Sequence, residues 1–95
     1  MKGKMNIAVI GLGARGLKFC EAVNNDRVYG GKLVAVCDPM VTKIKDKLEK
    51  YNVKHYDDVD IMLKHQPIDI AIVALPHHAY LEIIKKLAEH KVHII

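Results

Sequence analysis

The run IAVIGLGARGLKFCEAV, Ile7 to Val23, is apolar, breaks on three glycines and resumes with helical spacing. Met5 to Ile10 reads as a short strand with no polar residue after Asn6, the pattern of a parallel strand covered on both faces. Leu17, Cys20 and Val23 then recur at three-residue steps and fall on one side of a helix that starts near Ala14. A buried strand passing through a glycine turn into a helix is the opening of a βαβ crossover, and this constrains the rest of the chain.

The remaining sequence continues the alternation. NNDRVYGG, Asn24 to Gly31, has the turn residues to end the first helix. LVAVC, Leu33 to Cys37, is a second buried strand closed by Asp38. Asp38 is expected to cap a following helix with Pro39 in its first turn, and Val41, Ile44, Leu48 and Tyr51 form that helix's apolar stripe. VKHY, Val53 to Tyr56, reads as a short edge strand. DDVDIMLKH reads as a short helix capped by Asp57 or Asp58, whose remaining role, like that of Asp60, is solvent charge.

Ile68 to Leu75 is the third clear strand, stopped by Pro76. Leu81, Ile84 and Leu87 or Ala88 define a last amphipathic helix, and VHII, Val92 to Ile95, begins another buried strand. The fold class is therefore α/β, a doubly wound parallel sheet of Rossmann type in the order 3-2-1-4-5, with helices on both faces. Residues 1–95 are expected to be one domain, truncated before its last strand. An uncovered sheet edge predicts self-association into a homo-oligomer or marginal stability.

Composition narrows the function classes. With 51% hydrophobic and 27% charged residues the chain has the balance of an ordinary globular domain. No apolar stretch approaches the roughly 20 residues that span a bilayer, so no membrane is expected and a cytoplasmic location is. The net charge of +4 is spread along helical segments rather than massed, which argues against nucleic acid. Cys20 and Cys37 lack metal or redox spacing and read as reduced core thiols. The six histidines are scattered apart from the adjacent His77 and His78, which read as loop residues, and no metal site is expected.

Gly11, Gly13 and Gly16 form G-x-G-x-x-G between strand and helix. In that setting Gly11 permits the tight turn, Gly13 leaves room for a pyrophosphate and Gly16 allows close packing of helix on strand. The helix N-terminus offers unpaired N–H groups and partial positive charge to phosphates. Asp38 follows at the end of the second strand, roughly 20 residues past the last glycine, where a carboxylate accepts bonds from the adenosine ribose hydroxyls. It repels a 2′-phosphate, so NAD is expected over NADP. The cofactor-binding set is Gly11, Leu12, Gly13, Ala14, Arg15, Gly16, Asp38, Pro39, Leu75, Pro76, His77 and Tyr80. Within it Arg15 serves a phosphate, the substrate side of the cofactor, or only solvent.

The segments MNIAVIGLGARG, LVAVCDP and DIAIVALPHHAYLEIIKKLAEHKVHII together resemble the N-terminal domain of the glucose-fructose oxidoreductase, inositol dehydrogenase and MocA family. In that family a strand ends in proline, followed by an asparagine, a histidine three further on, a helix, and a strand leading to Glu-Lys-Pro. Pro76 matches the proline, while His77 stands at the asparagine position and Tyr80 at the histidine position. His93 and Ile94 fit the lead-in to the Glu-Lys-Pro motif.

The resemblance implies that Pro76, His77 and Tyr80 pass the nicotinamide end. His77 is read either as a proton-relay or ribose contact or as a polar loop residue, and Tyr80 either as an active-site phenol or as a core aromatic. The family's catalytic lysine falls about three positions beyond Ile95, so no catalytic residue is assigned within the chain. The full protein is expected to be an NAD-dependent oxidoreductase moving hydride to or from a small-molecule substrate, a sugar, cyclitol or related polyol. The resemblance also implies that residues 1–95 are an N-terminal dinucleotide-binding domain without its C-terminal substrate domain, so the chain alone is expected to be inactive. The rival readings are a non-catalytic NAD(H)-sensing module and an NAD-dependent glycoside hydrolase.

Overall fold

The structure, a computed structural model, describes residues 5–24 and 31–95. In chain order the elements are β1 (Met5–Ile10), α1 (Ala14–Asn24), β2 (Gly31–Cys37), α2 (Lys45–Leu48), β3 (Lys54–Tyr56), α3 (Val59–His65), β4 (Ile70–Val73), α4 (His77–Glu89) and β5 (His93–Ile94). The strands form one sheet in the order β3-β2-β1-β4-β5, and every pairing is parallel. This is the expected doubly wound order. The expected turn over Asn24 to Gly31 lies, between its end residues, outside the described residues; Asn24 itself closes α1 and Gly31 opens β2.

Side chains alternate across a strand, so one apolar run fills two cores. Ile7 and Val9 of β1 join Cys20 and Val23 of α1, Leu48 and Tyr51 on one face. Ala8 and Ile10 join Val59 and Met62 of α3 and Leu87 of α4 on the other. The residues Ala8, Ala35 and Ala71 on the second face are small, and Met62 and Leu87, both fully buried, fill the space above them. Each such side chain stabilises the fold by about 1.5–3 kcal/mol through burial. A register shift opposite Ile7 and Ala8 makes Val34 the extra residue of β2, so that Val34 and Ala35 both face the second core while Leu33 and Val36 face the first.

Several expectations need correction. The expected helix after Asp38 is broken: Pro39 and Met40 form a turn, and Val41–Lys43 and Glu49–Tyr51 are single 3₁₀ turns on either side of the four-residue α2. Asp38 therefore caps a turn and not a helix, its Oδ1 accepting from Met40 N at 2.7 Å while its carbonyl accepts from Val41 N at 3.0 Å. The β-branched residues Val41, Thr42 and Ile44 have weak helix preference, and the stripe itself holds, with Val41, Leu48 and Tyr51 buried.

The strand β4 is shorter than Ile68 to Leu75, and α4 begins directly after Pro76. His77 and His78 are thus the first helical residues and not loop residues. Leu81 is 73% exposed, because the buried face of α4 runs Tyr80, Ile83, Ile84 and Leu87, one step out of phase with it. Leu87, not the exposed Ala88, occupies the core position. Asp58, rather than Asp57, caps α3, accepting from Ile61 N at 3.1 Å.

Candidate functional site

The carboxyl ends of β2, β1 and β4 lie side by side, with the chain leaving β1 toward β2 on one side and β4 standing on the other. Such a reversal opens a crevice above the sheet. The glycine turn occupies it. Gly11 has φ +93, a left-handed conformation that L side chains avoid, and a Cβ there would collide with the carbonyl of Ala74. Its N–H donates to the carbonyl of Cys37 at 2.8 Å, and Ala74 N–H donates to the carbonyl of Ile10 at 2.8 Å. The turn is thereby clasped between β2 and β4.

Gly13 is exposed, and no protein atom lies within 4 Å of the position its Cβ would take. Its carbonyl accepts from Leu17 N at 2.9 Å, the first bond of α1. The N–H groups of Ala14, Arg15 and Gly16 lie in the first turn, where a helix offers them no internal partner, and that turn carries no acidic residue. Gly16 is buried against the turn itself, since a Cβ would collide with the Gly11 carbonyl, whereas the strand atom Val9 Cγ1 would be 3.7 Å away. The glycine is needed for the approach of helix to turn more than of helix to strand.

Asp38 is half-buried at the end of β2, and its Oδ2 accepts from Leu12 N in the glycine turn at 2.7 Å. Leu12 is itself buried, so this bond fixes the turn against the carboxylate. Each carboxylate oxygen holds one N–H and keeps a second acceptor site. Next to it Cys37 is buried, and burial above all, with the charges of Asp58, Asp38 and Asp57, pushes its thiol up to about 12. Burial likewise pushes Cys20 up to about 11. Both are inert thiols at neutral pH.

Two crevices flank the turn. One, of about 230 Å³, is lined by Pro39, Leu75, Ala79, Ile83, Asp57 and Glu82, among others. The other, of about 440 Å³, includes Arg15, Phe19, Pro76, His77, Tyr80 and Ile95. The structure thus separates the expected site residues. Pro39 falls in the first crevice, Arg15, Pro76, His77 and Tyr80 in the second, and Leu75 in both. Sequence reasoning missed Ala79, Ile83 and Glu82, which the helical spacing from Leu75 and Pro76 onward would have brought to the same edge. A wider groove of about 880 Å³ between α1 and the 46–51 segment holds none of the expected site residues and is lined by charges of both signs. Among the described residues no group of three or more His, Cys, Asp or Glu is placed to hold a metal, and no helix is long and apolar enough to cross a membrane.

Comparison with known proteins agrees with this geometry. Residues 5–95 match the oxidoreductase family with an NAD-binding Rossmann fold, Gfo/Idh/MocA. Scyllo-inositol dehydrogenase from Lactobacillus casei, solved with bound NAD(H) and scyllo-inositol, superposes with a TM-score of 0.85 at 21% identity, over 96% of this chain and 27% of that one. The WlbA dehydrogenase from Bordetella pertussis, in complex with NADH and UDP-GlcNAcA, superposes with a TM-score of 0.84 at 16% identity, over 96% of this chain and 28% of that one. At such identities the likeness is one of fold. A redox-sensing transcriptional repressor, Rex, from Carboxydothermus hydrogenoformans is 32% identical over 71 residues, 75% of this chain and 34% of the repressor. The chain therefore spans about a quarter of the length of these dehydrogenases and a third of the repressor.

Proposed function

The chain belongs to the Gfo/Idh/MocA oxidoreductase family, as its NAD-binding domain, and from that premise we propose that it is the cofactor-binding part of a dehydrogenase that uses NAD in preference to NADP. The substrate class we propose is a sugar, cyclitol or related polyol, the kind of molecule bound in scyllo-inositol dehydrogenase. When bound, the nicotinamide supplies the hydride acceptor or donor. The chain's own residues supply its seat.

The observation that carries this reading is the bond from Leu12 N to Asp38 Oδ2 at 2.7 Å. It holds a carboxylate, the group that reads ribose hydroxyls, beside a turn whose open position at Gly13 has room for a diphosphate. The first-turn N–H groups of Ala14, Arg15 and Gly16 would hold the phosphate oxygens, and the free acceptor sites of Asp38 would hold the ribose hydroxyls. A 2′-phosphate would meet the Asp38 carboxylate, whose neighbour Pro39 borders the crevice that Asp57 and Glu82 line, and like charges disfavour it. Pro39 and Leu75 would cover the adenosine side, and Leu75, Pro76, His77 and Tyr80 the nicotinamide side.

Calorimetric titration with NAD and with NADP, repeated on Asp38→Ala, tests the reading. Tighter binding of NAD, abolished by the substitution, is the expected result; equal binding of the two by the wild type overturns the NAD preference, and binding of neither overturns the seat. The identity to the redox-sensing repressor favours a second reading, a module that responds to NADH and NAD without turnover. NAD-linked oxidation of polyols by the full-length protein separates the two, since a sensor binds the dinucleotide and turns over none of them.

A further inference from the structure

The smaller crevice adjoins the proposed ribose contact. Ile10, which lines it, directly precedes the glycine turn, and Cys37 and Pro39, also in its lining, flank Asp38 in the chain. A ribose held by the remaining acceptor sites of Asp38 therefore leaves its base at this opening. The space of about 230 Å³ has apolar walls from Leu75, Ala79 and Ile83, which suit a flat base without telling one base from another.

The ionised groups of the crevice make the distinction. Asp57, Asp58 and Glu82 are acceptors only, and Lys86, the one cation among the described lining residues, is already held by Asp60 at 2.9 Å. Asp57 and Glu82 are exposed, where water screens a carboxylate and a bond to it gains little. Asp58 differs from both. It is half-buried, and its Oδ2 is fixed by the Ile61 N–H at 3.1 Å as the cap of α3, while no hydrogen bond among the described residues engages its Oδ1. Of the charges that add to burial in pushing up the Cys37 thiol, that of Asp58 acts most strongly, ahead of Asp38 and Asp57. Its carboxylate is thus held near the end of the crevice that Cys37 lines.

We infer that Asp58 selects the base of the dinucleotide, its Oδ1 accepting from the exocyclic amino group of adenine and rejecting a base that carries a carbonyl there. The inference rests on the dinucleotide reading and deepens it: that reading supplies the ligand, and the carboxylate supplies only the choice of base. Adenine presents an amino donor where guanine and hypoxanthine present a carbonyl acceptor. A carbonyl set against the carboxylate leaves two acceptors facing each other with no proton between them, and the desolvation of both is uncompensated.

The protein is titrated calorimetrically with NAD and with nicotinamide hypoxanthine dinucleotide, which carries a carbonyl in place of the adenine amino group, and the pair is repeated on Asp58→Asn and Asp57→Asn. Asparagine caps a helix about as well as aspartate, so Asp58→Asn is expected to keep α3 and the fold. Its amide nitrogen puts a donor where the carboxylate had an acceptor. A charge-assisted hydrogen bond corresponds to roughly a tenfold to hundredfold preference for NAD. The expected result is that preference in the wild type and in Asp57→Asn, and its loss or reversal in Asp58→Asn. Equal binding of the two dinucleotides by the wild type, or tighter binding of the hypoxanthine one, overturns the inference and leaves the cofactor reading standing. An Asp58→Asn variant that keeps the full preference, or an Asp57→Asn variant that loses it, also overturns the assignment to Asp58. Failure of the wild type to bind either dinucleotide overturns the cofactor reading itself, and the inference with it.

Discussion

Replacing Asp38 with alanine removes two hydrogen bonds of equal length and unequal consequence. Oδ1 accepts from Met40 N at 2.7 Å, but that amide is exposed, and water replaces the lost acceptor at little cost. Oδ2 accepts from Leu12 N at 2.7 Å within a buried turn, where an amide left unpaired costs about 1–3 kcal/mol. Together the loss amounts to about 1–2 kcal/mol, the low end being appropriate to a half-buried carboxylate. For a domain of this size that corresponds to a fall in melting temperature of roughly 5–15 °C. Asp38→Asn keeps one acceptor oxygen and should lose about half as much. Thermal unfolding followed by circular dichroism reads both variants without any cofactor present. An unchanged midpoint in Asp38→Ala would refute the reasoning, because the turn would then not depend on the carboxylate. Adding NAD should raise the midpoint of the wild type and leave that of Asp38→Ala where it is, which separates the structural role from the proposed binding role.

Gly13→Ala meets no protein atom within 4 Å, so its stability should change by no more than about 1 kcal/mol, whereas its affinity for NAD should fall at least about tenfold because the methyl group enters the space proposed for the diphosphate; unaltered affinity would relocate the phosphate. Leu87→Ala should destabilise the fold by about 2–5 kcal/mol and Leu81→Ala by no more than about 0.5 kcal/mol, since Leu87 is fully buried and Leu81 is 73% exposed; urea unfolding compares them, and similar losses would contradict the phase of α4. The buried thiols predict an alkaline weakness: below pH 9.0 they are protonated in both states, and as the pH rises the unfolded chain releases protons that the fold retains up to about 11 for Cys20 and about 12 for Cys37. Stability should therefore fall as the pH rises across that window, and the double variant Cys20→Ala, Cys37→Ala should show a flatter decline in urea midpoints; equal slopes would mean that the thiols are not the cause.

Local periodicity and local chemistry were enough to read the five strands, their parallel order and the glycine turn between β1 and α1. Ile7 to Ile10 had to be covered on both faces because no polar residue interrupts them, and Gly11 and Gly16 were legible because only glycine fits where a side chain would strike a carbonyl. Boundaries and phase were less legible. Helical spacing alone admits both Leu81 and Tyr80 as the start of the α4 stripe, and only packing on Met62 and the sheet selects Tyr80. The broken segment after Asp38 followed from the burial of Val41, Leu48 and Tyr51 together, in keeping with the weak helix preference of the β-branched residues Val41, Thr42 and Ile44.

The sequence by itself determined the glycine turn, the acid that follows it and the alternation that makes a doubly wound sheet. Each of these is a property of neighbouring residues. Only the tertiary structure decided that Asp38 grips Leu12, 26 residues away along the chain, and that Arg15 shares a crevice with His77 and Tyr80 while the carboxylates gather in the other. Those pairings depend on where the segments beyond the strand ends settle once β1 lies between β2 and β4 with both apolar faces buried, and no local spacing encodes such contacts.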